Sequence, residues 1–133
     1  MRLQALAFSA SVAGVAVSIY LTAVHYAGFP LACPVGGTIN CEAVLSSPYA
    51  VIAGTSVPTS AAGIIWFAVS AALWIRRDRR VQLGWSAIGM LTVLYLVFIE
   101  IVRIGAICVW CTAAHILVLG IFLVAVSRAS VGR

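Results

Sequence analysis

The chain has 133 residues, of which 64% are hydrophobic and only 8% charged, with a mean hydropathy of +1.16. A soluble domain is about 45–50% apolar and about 25% charged, so a water-soluble fold is excluded and the chain reads as an all-α integral membrane protein, one domain over 1–133. Its net charge of +5 lies at the ends of apolar runs, where it directs topology and gives no sign of a nucleic-acid partner.

The first apolar run covers 3–27. It is longer than the about 7–15 residues of a signal-peptide core and is expected to span the bilayer, for which about 20 apolar residues suffice. An outer loop follows over 28–56, broken by Pro30, Pro34, Gly36, Gly37, Pro48 and Gly54. Inside it Asn40 is a helix-capping residue, and a short helix is expected from Cys41 to just before Pro48. The stretch Tyr49 to Ala53 is apolar enough to lie in the membrane interface. A second span is expected over 57–75, then the tight basic turn Arg76-Arg77-Asp78-Arg79-Arg80. The third span covers 81–104 and is stopped by Gly105, and the fourth covers 107–127, ahead of a short basic tail that ends at Arg133.

Arg2, the basic turn and the tail fall on one side, which the positive-inside rule makes cytoplasmic. The expected architecture is a four-transmembrane-helix bundle in the inner (plasma) membrane, with both termini cytoplasmic. The loop and all four cysteines then lie on the outer face, in an oxidising space.

The cysteines fall into two pairs. Cys33 and Cys41 lie in the loop, and Cys108-Val109-Trp110-Cys111 is a C-x-x-C that opens the fourth span. Two thiols three apart at a helix start share one face, with Cys108 at the water boundary and Cys111 a turn deeper. A helix start favours the thiolate. Two such pairs can pass electrons by thiol–disulfide exchange. The loop pair can meet an external partner and reach Cys108, while Cys111 is within reach of a lipid-soluble two-electron acceptor such as a membrane quinone. Two other readings are a non-enzymatic membrane subunit with structural disulfides and a four-cysteine metal site. A bridge across two residues staples little chain, and the wide spacing of the loop pair argues against zinc. No metal is therefore expected.

Four spans, a loop cysteine pair after the first, and C-x-x-C opening the last resemble the vitamin K epoxide reductase family and its bacterial homologues, over nearly the whole chain. Oxidases of the DsbB type use similar chemistry with the order of the pairs reversed. The resemblance implies that Cys33 and Cys41 exchange with a thioredoxin-like (DsbA-like) protein, that Cys41 links to Cys108, and that Cys111 faces the quinone, which is menaquinone, ubiquinone or a related naphthoquinone. Ser46 or Ser47, with Ser47 preferred, matches a supporting serine. Thr59 stands where the animal enzymes carry a quinone-binding asparagine and His115 where they carry a quinone-binding tyrosine; both differences point away from vitamin K epoxide itself as substrate. Many bacterial relatives have a fused thioredoxin-like domain, and here the partner is expected to be separate.

The remaining polar and aromatic residues have two readings each. His115, one turn beyond Cys111, is either a quinone or proton ligand or an interhelical hydrogen-bond partner. Glu100 and Arg103, three apart, can pair on one face and are expected to snorkel to water, with polarisation of a quinone oxygen by Arg103 as the sharper alternative. His25 and Tyr26 are expected to anchor the first span in the interface. Trp66 and Trp74 are expected to face lipid or the interface.

Overall fold

The computed structural model describes residues 1–28, 32–33 and 36–132. Pro30, Pro34 and Arg133, read above as breakers and tail, lie outside the described residues. In chain order the elements are α1 (Arg2–Ala27), a five-residue loop helix α2 (Cys41–Leu45), α3 (Thr59–Arg76), α4 (Arg79–Phe98, continued as a π turn over Ile99–Ile104) and α5 (Val109–Val131). The four long ones are apolar enough to cross a membrane. At 1.5 Å per residue the 26 residues of α1 extend about 39 Å, more than the roughly 30 Å of hydrocarbon. The protein is thus the expected multi-pass membrane bundle with a short helix in its longest loop.

The helix ends follow local chemistry. Gly28 closes α1 in the left-handed conformation, φ 67°, returning its N–H to the Val24 carbonyl at 3.0 Å. Asn40 caps α2 by accepting from the Ala43 N–H at 3.1 Å, as its side chain predicts. At the basic turn Arg77 takes the left-handed conformation, φ 65°. Asp78 then accepts from the N–H groups of Arg80 and Val81 at 3.1 and 3.3 Å. The chain so reverses from α3 into α4 within two residues.

The helices run alternately up and down, with α1 and α4 both packed against α3 and α5. Between apolar helices in lipid, close approach and hydrogen bonds hold the contact. Gly14 on α1 lets the Phe67 ring lie against its backbone, and Gly89 on α4 does the same for Trp66; a Cβ at either position would strike the ring. Ser11 bonds Ser70 at 3.1 Å and Thr22 bonds Ser60 at 2.9 Å, both between α1 and α3.

At the basic end, Gln4 donates to the Trp74 carbonyl at 2.7 Å, Gln82 to the Leu73 carbonyl at 2.9 Å, and Arg128 to the Gln82 side chain at 3.0 Å. Trp74 does not face lipid: it is 2% exposed and Arg128 lies 5.4 Å above its ring. Trp66 is likewise turned inward, stacked on Trp85 with ring centroids 6.1 Å apart.

The loop closes the opposite end. Gly36 and Ile39 pair across a turn, Ile39 then pairs in parallel with Ile107, and Val51 pairs with Pro58. A single 3₁₀ turn, Pro48–Ala50, lies between α2 and the approach to α3.

Candidate redox site beneath the loop

The site begins with the pairing of Ile39 and Ile107. The Ile107 N–H donates to the Thr38 carbonyl at 2.8 Å, and the Asn40 N–H donates to the Ile107 carbonyl at 3.0 Å. On both strands of this short pairing the next residues begin a helix, and each helix begins at a cysteine. Cys41 is the first residue of α2 and Cys108 is the cap of α5. The Cys41 sulfur accepts from the Val109 N–H at 3.3 Å, and the Cys108 sulfur accepts from the Cys111 N–H at 3.2 Å. Two sulfurs thus meet the unpaired N–H groups of a single helix start, where negative charge is favoured.

Cys41 is joined to Cys33 by a disulfide, with Cα atoms 6.3 Å apart. Cys108 and Cys111 are free thiols. Cys108 differs from its expected place at the water boundary: it has no exposure, because α2 and the loop lie over it. Its sulfur is held below the ordinary thiol range, chiefly by a hydrogen bond from the Cys111 side chain and further by the N–H groups of Cys111 and Trp110. Burial and the nearby Glu100 carboxyl act in the opposite direction. A sulfur of this kind is a stable thiolate, and its exchange partner across the site is Cys41, in either direction of thiol–disulfide exchange.

Trp110, between the two free thiols, ties down the outer pair. Its indole N–H donates to the Ala32 carbonyl at 2.8 Å, and its ring packs on Tyr20 with centroids 4.8 Å apart. Ala32 precedes Cys33, so the residue inside the C-x-x-C fixes the approach to the loop disulfide.

Below these sulfurs a cavity of about 300 Å³ opens among α1, α3, α4 and α5, at the small end of ligand pockets. Its walls are mostly apolar, and Cys111, His115, Thr59 and Ser47 all line it. Ser47 donates to the Val44 carbonyl at 2.7 Å and Thr59 to the Tyr49 carbonyl at 3.4 Å. The His115 imidazole makes no hydrogen bond among the described residues, so it does not serve as an interhelical link there. Arg103 stands apart from the other residues singled out. It is exposed, lies outside the cavity wall and donates to the Tyr49 hydroxyl at 3.2 Å, reaching the cavity only through that ring. A flat apolar ring with two acceptor oxygens fits these walls: apolar on its faces, with a free imidazole and a thiol at its edge.

A family model, that of the vitamin K epoxide reductase family, matches residues 5–126. The chain belongs to the vitamin K epoxide reductase family. The match takes in both cysteine pairs, the cavity residues and most of all four long helices. Membership makes this a membrane thiol oxidoreductase of a family whose members use quinones. No individual curated protein matches the sequence.

Three further functional-site expectations change. Glu100 neither snorkels nor pairs with Arg103: it is 6% exposed and lines the cavity, while Arg103 faces out. The cause is the π turn over Ile99–Ile104, in which the Glu100 carbonyl accepts from the Gly105 N–H at 2.8 Å and the Ala106 N–H at 3.2 Å. The wider turn takes residues three apart off their common face. His25, expected only as an interface anchor, also lines the cavity. Tyr49, expected only at the interface, lines the cavity as well; its place follows from the 3₁₀ turn, which the Pro48 before it signals.

Proposed function

We propose that this family member is a quinone-linked thiol oxidoreductase that generates disulfides in a separate thioredoxin-like protein outside the plasma membrane. The observation that carries the reading is the position of Cys41 at the start of α5, against the Val109 N–H and next to Cys108, while Cys111 stands in the wall of an apolar cavity. Reduced partner opens the Cys33–Cys41 disulfide. Cys41 then exchanges with Cys108, and Cys33 recloses the outer pair, leaving electrons on Cys108 and Cys111. The described state, outer pair oxidised and inner pair reduced, corresponds to the moment after that exchange.

Cys111, His115, Thr59 and Ser47 would hold a menaquinone, ubiquinone or related naphthoquinone in the cavity, with Arg103 acting only through Tyr49. A bound quinone supplies the sink for two electrons. Thr59 holds the Tyr49 carbonyl and so braces the loop over the site, and His115 offers its free N–H to a quinone oxygen. The arginines at the far end support both termini being cytoplasmic and the cysteines facing outward.

The test follows quinone absorbance while a reduced thioredoxin-like protein is supplied to the purified chain in detergent. Turnover is expected with the natural sequence and loss to background with Cys111→Ala. No quinone consumption by a folded natural chain would overturn the reading, as would a Cys111→Ala variant that turns over normally.

A further inference from the structure

The chain has three acidic residues, and their places differ. Glu42 is exposed on α2, and Asp78 caps α4 at the basic end. Glu100 alone is buried within the bundle, 6% exposed, on the wall of the cavity that Cys111 lines. Its carboxyl faces the backbone N–H of Cys108 and lies within electrostatic reach of both inner thiols. Among the described residues no arginine lines the cavity with it, and the π turn has carried Arg103 to the outside. A carboxyl in such a place is expensive when charged. A glutamine could accept from the Cys108 N–H without that cost, so capping α5 does not account for an acid here.

The chemistry of the inner pair has a use for one. When the dithiol reduces a quinone, two S–H bonds break and one S–S bond forms; the sulfurs are oxidised by two electrons, the quinone is reduced to the hydroquinone, and each of its oxygens gains a proton. Cys111 stands in the cavity wall and can pass its proton directly. Cys108 has no exposure, so its proton has no path to water, and the acid beside it is Glu100. We propose that Glu100 is the proton carrier for Cys108: its carboxylate takes the Cys108 proton as the disulfide forms and gives it up to the second quinone oxygen. This inference rests on the quinone-linked reading above. The other titratable groups around the same space are Cys111 and His115 on α5, His25 on α1 and Tyr49 from the loop.

The experiment uses the full chain in two arms. The first compares Glu100→Gln with the natural sequence for kcat, for KM toward a soluble naphthoquinone, and for the pH profile of kcat. Glutamine keeps shape and hydrogen-bond acceptor, so the thermal midpoint and KM are expected to hold while kcat falls about 100-fold or more and its pH profile changes. An unchanged kcat and pH profile in Glu100→Gln overturns the proposal. The second arm needs neither quinone nor a Glu100 variant: redox-difference infrared spectra of the natural chain should show a carboxyl changing protonation as the inner pair is oxidised, a signal retained by Glu42→Gln. Absence of any carboxyl change overturns the proposal by itself. If the natural chain consumes no quinone, the functional reading falls, and the infrared arm still decides whether Glu100 exchanges a proton with the dithiol.

Discussion

The Cys41 sulfur lies 3.3 Å from the Val109 nitrogen, the first helical N–H after Cys108. One sulfur of the outer pair is therefore seated on the helix that carries the inner pair, with no bond joining the two pairs. The two pairs meet at one helix start, and the consequences can be measured.

A chain that retains only Cys41 and Cys108, made by Cys33→Ser and Cys111→Ser, keeps one sulfur of each pair and no thiol to resolve a link between them. On mild oxidation the two are expected to form an intramolecular disulfide nearly quantitatively. Peptide mapping without reductant reads it directly. Recovery of both as separate thiols would mean that the sulfurs are not aligned as described.

Cys108 supplies a pH dependence. Its ionisation lies below the ordinary thiol value of about 8.5, so its thiolate is present above the lowered value and disappears as pH falls through it. The side chain of Cys111 is the main cause. In the reduced chain, thiolate ultraviolet absorbance, corrected with Cys108→Ser, should persist below the pH at which a free thiol loses it. Cys111→Ala should move that curve upward; no movement would assign the effect to the backbone N–H groups instead.

Trp110→Phe keeps the ring against Tyr20 and removes the hydrogen bond to Ala32. A neutral hydrogen bond contributes about 1 kcal/mol, so local opening should become about fivefold easier. Amide exchange at Ala32 and Cys33 is expected to quicken by about that factor, with the helices unaffected. Equal protection in both proteins would show that the indole does not hold the loop.

Gly14→Ala tests the packing of α1 on α3. The added Cβ meets the Phe67 ring, and overpacking of this kind costs about 1–3 kcal/mol. A lower thermal midpoint in detergent is expected, with recovery in the double variant Gly14→Ala, Phe67→Leu, which frees the space.

The bundle was legible because lipid leaves few choices. A run of about 20 apolar residues must be a helix, and Asn40 followed by Pro48 is a helix signal of the usual local sort. The grouping of Ser47, Thr59, Cys111 and His115 around one cavity came from family resemblance, and each residue's spacing alone said little about it. Arg103 and Glu100 stand away from the places their spacing predicts for a definite reason. Pairing at three apart assumes α-helical pitch, and nothing between Ile99 and Ile104, neither glycine nor proline, announces a π turn. The pairing of Ile39 with Ile107 was invisible for another reason: its partners are 68 residues apart by subtraction (107 less 39) and bond only through backbone.

That last feature bears on how this region tolerates change. Because main-chain atoms alone align the two strands, side chains at Thr38, Ile39 and Ile107 are free to drift without disturbing sulfur alignment. Inserting or deleting one residue between Thr38 and Cys41, or between Ile107 and Cys108, shifts one helix start against the other and separates the pairs. Here the count of residues matters more than their identity.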